Sequence, residues 1–247
     1  MAKESMNYAI ILAAGVGQRM RSGGLPKQFL KLMGKPIIVY TLEKFSDCEA
    51  VDKIIVVCHS AYVDLMKEYI ELYKIRKIQA ICVGGKDRQG SICNGIDEAK
   101  ASGATDEDIV IIHDGVRPLV GENTIRENIR IAMQYGYAMT VHPVSESVVV
   151  SKTMEIGIND ISKRDDTYSM TSPQTFKLGL LMDAFNNDIG DDDEVPMLDA
   201  AMVCAKAGKK INLVKEYNNN LKITTPEDFY YLKAMLEMEE NKRVFGL

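Results

Sequence analysis

The stretch Tyr8-Ala9-Ile10-Ile11-Leu12-Ala13-Ala14-Gly15-Val16-Gly17-Gln18-Arg19-Met20 runs an unbroken apolar segment into an exit that carries glycines. A strand of this kind offers no polar face to water, which is the pattern of a parallel strand covered by helices on both sides. Four more short apolar segments repeat it: Lys53–Cys58, Ile78–Val83, Ile109–His113 and Ala138–His142. Helical patterns fall between and after them, at about 37–46, 61–73, 89–101, 122–135, 176–187, 196–207 and 226–240. Pro226 followed by Glu227 and Asp228 suits a helix start, since proline fits the first turn and acids complement the positive end of the dipole. The alternation predicts an α/β fold, a doubly wound, Rossmann-like and mostly parallel sheet.

Between about 144 and 172 the alternation stops. Ser147–Lys152 and Met154–Ile161 read as short β-rich pieces with polar interruptions, an arm projecting from the sheet. Such an arm leaves backbone edges to be paired, so a homodimer formed through it is expected. Asp191-Asp192-Asp193-Glu194 reads as a solvated loop before a helix, because successive residues do not share a face on which to hold a metal.

Composition narrows the class. With 247 residues, 46% of them hydrophobic and 26% charged, the chain can bury a full core, and a single domain over 1–247 is expected. No segment reaches the roughly 20 apolar residues of a membrane helix, and the polar lead into the first strand lacks the look of a signal peptide. A net charge of −5 and a pI of about 5.4 argue against nucleic acid or an anionic membrane as partner. The five cysteines, at 48, 58, 82, 93 and 204, form no CxxC pair and read as reduced residues of a cytoplasmic protein.

Taken alone, Gly15-x-Gly17 is either a plain turn after a first strand or a loop whose N–H groups wrap a triphosphate. A dinucleotide fingerprint fails because Met20 stands where the third glycine belongs, and a P-loop fails because no GK[ST] follows. Arg19 and Lys27, the latter after Pro26, tip the balance towards a nucleotide by adding mobile positive charge beside phosphates. Gly84-Gly85-Lys86-Asp87-Arg88-Gln89-Gly90-Ser91 leaves a strand and opens a helix. A plain βα turn would explain its glycines but not its polar set, which suits a nucleobase or ribose. His113-Asp114-Gly115-Val116-Arg117-Pro118 stands at the carboxyl end of a strand, where open α/β sheets bind ligands. There Asp114 is either a helix or turn cap or a carboxylate for Mg²⁺, Arg117 reads as a structural ion pair, and His113 as structural. Arg164 lies in a charged cluster that would otherwise pass as a solvated turn, and Lys222 at a strand exit would otherwise pass as a surface lysine.

In their order these motifs resemble those of the cytidylyltransferases that activate polyol phosphates, the 2-C-methyl-D-erythritol 4-phosphate and ribitol 5-phosphate enzymes. AAGxGxRM…PKQF at 13–29, GGxxRxxS at 84–91, HDxxRP at 113–118, Arg164 before SPQ at 172–174 and LKITTPED at 221–228 span nearly the whole chain. The resemblance implies that Ala13, Ala14, Gly15, Gly17, Arg19 and Lys27 surround the CTP triphosphate, and that Gly84, Gly85, Arg88 and Ser91 meet the cytidine. It further implies Mg²⁺ on Asp114, with Arg164 (from the partner subunit) and Lys222, near Thr224, holding the polyol phosphate. Asn219 stands where the family often has Asp. The five residues between Met20 and Pro26, together with Val116, lean towards the ribitol branch, whereas Gly115, Ser147 and Leu198 depart from both branches near the expected substrate pocket. An NAD-binding oxidoreductase is disfavoured by Met20, and a silent nucleotide-binding protein by the retained Arg19, Lys27, Asp114, Arg164 and Lys222.

Overall fold

The computed structural model describes residues 5–16, 25–151, 153–186, 199–216 and 220–246. In chain order the first half contains β1 (Asn7–Ala13), a hairpin of β2 (Lys31–Leu32) and β3 (Lys35–Pro36), α1 (Ile37–Asp47), β4 (Lys53–Cys58), α2 (Val63–Leu72), β5 (Ile78–Val83), α3 (Arg88–Ala101) and β6 (Ile109–Asp114). The second contains α4 (Glu122–Tyr135), β7 (Tyr137–Pro143), β8 (Tyr168–Lys177), α5 (Leu178–Asn186), α6 (Ala200–Lys206), β9 (Asn212–Lys215) and α7 (Pro226–Phe245). Seven strands join in one sheet in the order β5-β4-β1-β6-β8-β7-β9. All neighbours run parallel except at β8, which is antiparallel to both β6 and β7.

The expected two-sided burial is visible residue by residue. Along β1, Ala9, Ile11 and Ala13 pack on one side of the sheet while Tyr8 and Ile10 pack on the other. β4 and β6 repeat the split: Ile54, Val56, Ile109 and Ile111 share the first side, and Ile55, Val57, Val110 and Ile112 the second. A third apolar cluster seats α7 through Leu232 against Ile223, Val116 and Ile37, fixing the last helix beside the loop that leaves β6. The chain moves from β1 outward to β4 and β5 and then returns to β6 on the other flank. That reversal leaves a crevice at the carboxyl ends of β1 and its neighbours.

Two expectations need correction. The arm ends earlier than residue 172, because 168–172 already belong to β8 in the main sheet. β8 escaped notice because it carries Ser172, Pro173, Gln174 and Thr175 in place of an apolar run. These polar groups are buried but partly satisfied: Gln174 Oε1 accepts from the Ala201 amide at 3.1 Å, and the Pro173 carbonyl accepts from Thr140 Oγ1 at 2.7 Å. Within the arm the expected β-rich pairing reduces to one bridge, Val149 to Ile161, and the rest of its described residues form two short 3-10 helices, Ile158–Asp160 and Arg164–Asp166, and irregular backbone. The helix expected from 196 is described from Ala200, where the Asp199 side chain accepts from the Met202 amide at 3.2 Å. The acidic run 191–194 and Leu198 lie outside the described residues.

No helix among the described residues is long and apolar enough to cross a membrane. All five cysteines are free, and burial pushes the thiols of Cys58 and Cys82 up to about 11 and that of Cys204 up to about 12.

Candidate active site

A cleft of about 800 Å³ opens where β1, β5 and β6 end. Its wall brings together Ala13, Ala14, Gly15, Lys27, Gly85, Arg88, Ser91, Asp114 and Lys222, residues drawn from both ends of the chain. Gly17 and Arg19 lie outside the described residues, as does Asn219. Arg164 is exposed on the arm and lines no part of this cleft.

The glycines after β5 sit at two close approaches of backbone. A Cβ on Gly84 would overlap Ala14 Cβ, so Gly84 lets the loops after β1 and β5 touch and does not itself line the cleft. A Cβ on Gly85 would run into the backbone of Gly90, because that loop closes upon the start of α3. The Ser91 hydroxyl is engaged in the same fold-back, accepting from the Gly85 amide at 3.1 Å and donating to the Asp87 carbonyl at 2.8 Å. Gly15, by contrast, has open space where a Cβ would be. Gln28 secures the first loop: its Nε2 donates to the carbonyls of Ala13 at 2.6 Å and Gly15 at 2.9 Å.

Asp114 is the electrostatic centre. Its carboxylate is buried and bridged to Arg88 on one oxygen and, on the other, to Arg117 Nε at 3.1 Å and Lys222 Nζ at 3.0 Å. Burial alone would raise its pKa; Arg88, Lys222 and Arg117 outweigh that and hold the carboxyl well below the usual carboxylate range. Arg117 also donates to the Asn220 carbonyl at 2.7 Å, and with the Ile223 amide bound to the Val116 carbonyl at 2.9 Å it ties the β6 loop to the segment carrying Lys222. His113 is fully buried, with Nδ1 at 3.0 Å from Ser172 Oγ and Nε2 at 3.2 Å from the Arg117 carbonyl. Desolvation pushes it down to about 4 despite the pull of Asp114, so it is neutral and structural as expected. Gly115 does not face the cleft: a Cβ there would meet Ile38 Cδ1 at 2.7 Å and the Leu12 carbonyl at 3.0 Å. Close packing against Ile38 and the end of β1 therefore accounts for a glycine here.

Residues 7–238 match the 2-C-methyl-D-erythritol 4-phosphate cytidylyltransferase family. The chain belongs to this family. Among its relatives, a ribitol-5-phosphate cytidylyltransferase of Streptococcus agalactiae is 37% identical over 98% of this chain and 100% of that protein. One of Vibrio parahaemolyticus is 36% identical over the same shares, and one of Lactiplantibacillus plantarum 35% identical over 94% and 99%. Among solved structures, the 2-C-methyl-D-erythritol 4-phosphate cytidylyltransferase of Francisella tularensis superposes with a TM-score of 0.74 at 28% identity, covering 93% of this chain and 99% of that one. The 4-diphosphocytidyl-2C-methyl-D-erythritol synthase of Anaerococcus prevotii shares the fold with a TM-score of 0.78 at 24% identity, covering 94% and 96%. The chain is thus a CTP-using nucleotidyltransferase of the polyol-phosphate class.

In this cytidylyltransferase a second cleft, of about 560 Å³, adjoins the first at Lys222, which lines both. Its wall includes Arg117, His142, Ser169, Thr171, Glu216 and Tyr231, none of which except Arg117 drew attention in the sequence. Glu216 is buried; desolvation raises its pKa against hydrogen bonds from Thr124 Oγ1 at 2.9 Å and Asn220 Nδ2 at 2.7 Å. These residues come from the loop after β6, from β7 and β8, from the segment after β9 and from α7, and the pairing of β7 with both β8 and β9 brings the strand residues together. Gln28 was legible only as part of PKQF, and the strand partners of His142 were not legible at all. Thr224 near Lys222 lines the first cleft, but its hydroxyl and amide both engage Asp228 at 2.7 Å, capping α7.

Proposed function

We propose that this cytidylyltransferase joins CTP to ribitol 5-phosphate, forming CDP-ribitol and pyrophosphate. The observation that carries the acceptor is the end-to-end likeness to ribitol-5-phosphate cytidylyltransferases at 35–37% identity, set against 24% and 28% for the two solved erythritol-phosphate enzymes. The second reading, 2-C-methyl-D-erythritol 4-phosphate as acceptor, is favoured by the description of the family itself.

A phosphate monoester is already an anion near neutral pH, so its oxygen can attack the α-phosphorus of CTP without a general base. The new P–O bond forms in line as the bond to pyrophosphate breaks, and the protein supplies position and charge compensation. In our reading Ala13, Ala14 and Gly15 present backbone to the triphosphate, with Arg19 and Lys27 countering its charge. Gly84 and Gly85 shape the cytidine end, Ser91 holds that loop closed, and Arg88 connects it to Asp114. Lys222, lining both clefts, draws the acceptor phosphate towards CTP.

Asp114 fits Mg²⁺ in donor chemistry, being an ionised carboxylate with a strong demand for cations. Mg²⁺ takes one or two carboxylates and completes its shell with phosphate and water, so a single carboxylate beside a triphosphate could hold it. When bound, Mg²⁺ would neutralise charge on the triphosphate oxygens.

We read the arm as the dimer contact. Met154 is 95% and Ile158 82% exposed, and Arg164 lines neither cleft of its own chain, which suits an arm that reaches a second copy. The chain is taken as one nucleotidyltransferase domain, and its free, high-pKa cysteines suit a reducing cytoplasm.

The test is pyrophosphate release with CTP and Mg²⁺ across ribitol 5-phosphate, 2-C-methyl-D-erythritol 4-phosphate and other pentitol and tetritol phosphates. The highest kcat/KM is expected with ribitol 5-phosphate. A preference for the methylerythritol compound would establish the second reading instead.

A further inference from the structure

The second cleft offers cations at one end, Arg117 and Lys222, where it meets the CTP cleft. An acceptor whose phosphate lies there must direct its carbon chain and hydroxyls along the remaining wall. Most polar side chains of that wall are already engaged. Ser169 Oγ donates to the His142 carbonyl at 3.2 Å, Thr171 Oγ1 to the Thr140 carbonyl at 3.3 Å, and Asp228 accepts three bonds from Thr224 and Thr225.

His142 differs. It sits at the carboxyl end of β7, half-buried in the cleft wall, with Nδ1 at 2.9 Å from the Glu216 carbonyl. A carbonyl only accepts, so in the neutral ring Nδ1 carries the proton and Nε2 is a hydrogen-bond acceptor. Among the described residues no hydrogen bond reaches Nε2. The ring is thus fixed by one nitrogen and open at the other. A hydroxyl can donate to that nitrogen, whereas a deprotonated phosphate oxygen has no proton to give it.

Resting on the reading of the chain as a polyol-phosphate cytidylyltransferase, we propose that His142 is a specificity residue of the acceptor site, receiving a hydrogen bond at Nε2 from one hydroxyl of the polyol. The anchoring to Glu216 means the ring is oriented before the acceptor arrives, which limits the entropy lost on binding.

Two variants separate recognition from a structural tie. In His142→Asn the carboxamide nitrogen can still donate to the Glu216 carbonyl, but nothing reaches the Nε2 position. In His142→Gln a polar atom returns to that position. Both are assayed with whichever polyol phosphate the wild type turns over best, so the choice between ribitol and methylerythritol is read separately from the wild-type panel. His142→Asn is expected to raise the acceptor KM about tenfold, the equivalent of one hydrogen bond of about 1.4 kcal/mol, with the CTP KM unchanged. His142→Gln should recover part of that loss. Within a series of monodeoxy acceptors, one should show the same KM with the wild type and with His142→Asn, identifying the hydroxyl concerned. An unchanged acceptor KM in His142→Asn overturns the proposal, as do acceptor and CTP KM rising together with a lowered Tm. A wild-type enzyme that turns over no polyol phosphate overturns both this proposal and the reading beneath it.

Discussion

Replacing Gln28 with methionine keeps the length of the side chain and removes its donor. Gln28 is 2% exposed and is the side chain that donates to the carbonyls of both Ala13 and Gly15. Losing two such bonds and leaving two shielded carbonyls without a donor costs about 2–3 kcal/mol, taking about 1–1.5 kcal/mol for each. For a chain of this size each kcal/mol moves Tm by about 2–4 °C, so a fall of about 5–10 °C is expected if the loss is felt by the whole fold. If the loop after β1 instead detaches locally, Tm moves little and the cost appears in binding, where about 1.4 kcal/mol is a tenfold rise in the CTP KM. Differential scanning fluorimetry and initial rates at saturating acceptor distinguish the two routes. A Gln28→Met enzyme with the wild-type Tm and the wild-type CTP KM would refute the reasoning, since the two bonds would then contribute nothing.

Lys27→Ala and Arg19→Ala should lower kcat more than they change either KM, because charge on the triphosphate grows in the transition state; steady-state kinetics showing only small, equal changes would remove both from that role. If the arm pairs two copies as proposed, Arg164→Ala and Lys222→Ala enzymes, each impaired, should regain activity when mixed and allowed to exchange subunits, because one site of a mixed dimer then carries both residues. No recovery would confine Arg164 to its own chain. His113 is held at about 4 when buried and returns to about 6.5 on unfolding, so the unfolded chain binds the extra proton between those values. Its contribution is fully present above about pH 6.5 and falls by up to about 3 kcal/mol as pH drops towards 4. His113→Asn should flatten that limb of stability measured by urea unfolding, and an identical slope would count against the assignment.

The parts of the fold that sequence made plain are those where burial on both faces forces a continuous apolar run, as in β1, β4 and β6. β8 was hidden because its buried positions are filled by Ser172, Gln174 and Thr175, whose surroundings come from distant segments and leave no local pattern. β9, Asn212–Lys215, is too short to show a period. The same distinction runs through the site. Lys27, Arg88, Asp114 and Lys222 were recognisable from ordered motifs, and the fold brings them to one cleft. Gly115 invited a substrate explanation only because sequence proximity to Asp114 says nothing about which way a missing side chain would point. His142 and Glu216 became neighbours through pairing of β7 with β9, a contact between residues 74 positions apart.

The contact between Gly84 and Ala14 bears on how nucleotide preference can change. Because a methyl group at 84 would overlap the one at 14, the loop after β5, proposed to face the base, and the loop after β1, proposed to face the phosphates, are geared together. A lineage, or an engineer, enlarging the base-side loop to admit a purine would also displace the phosphate-side backbone and misalign the leaving group. Changes of base are therefore expected to arise as coordinated pairs across 14 and 84 rather than as single steps, and a deep double-substitution library over these two positions would contain viable combinations that neither single library predicts.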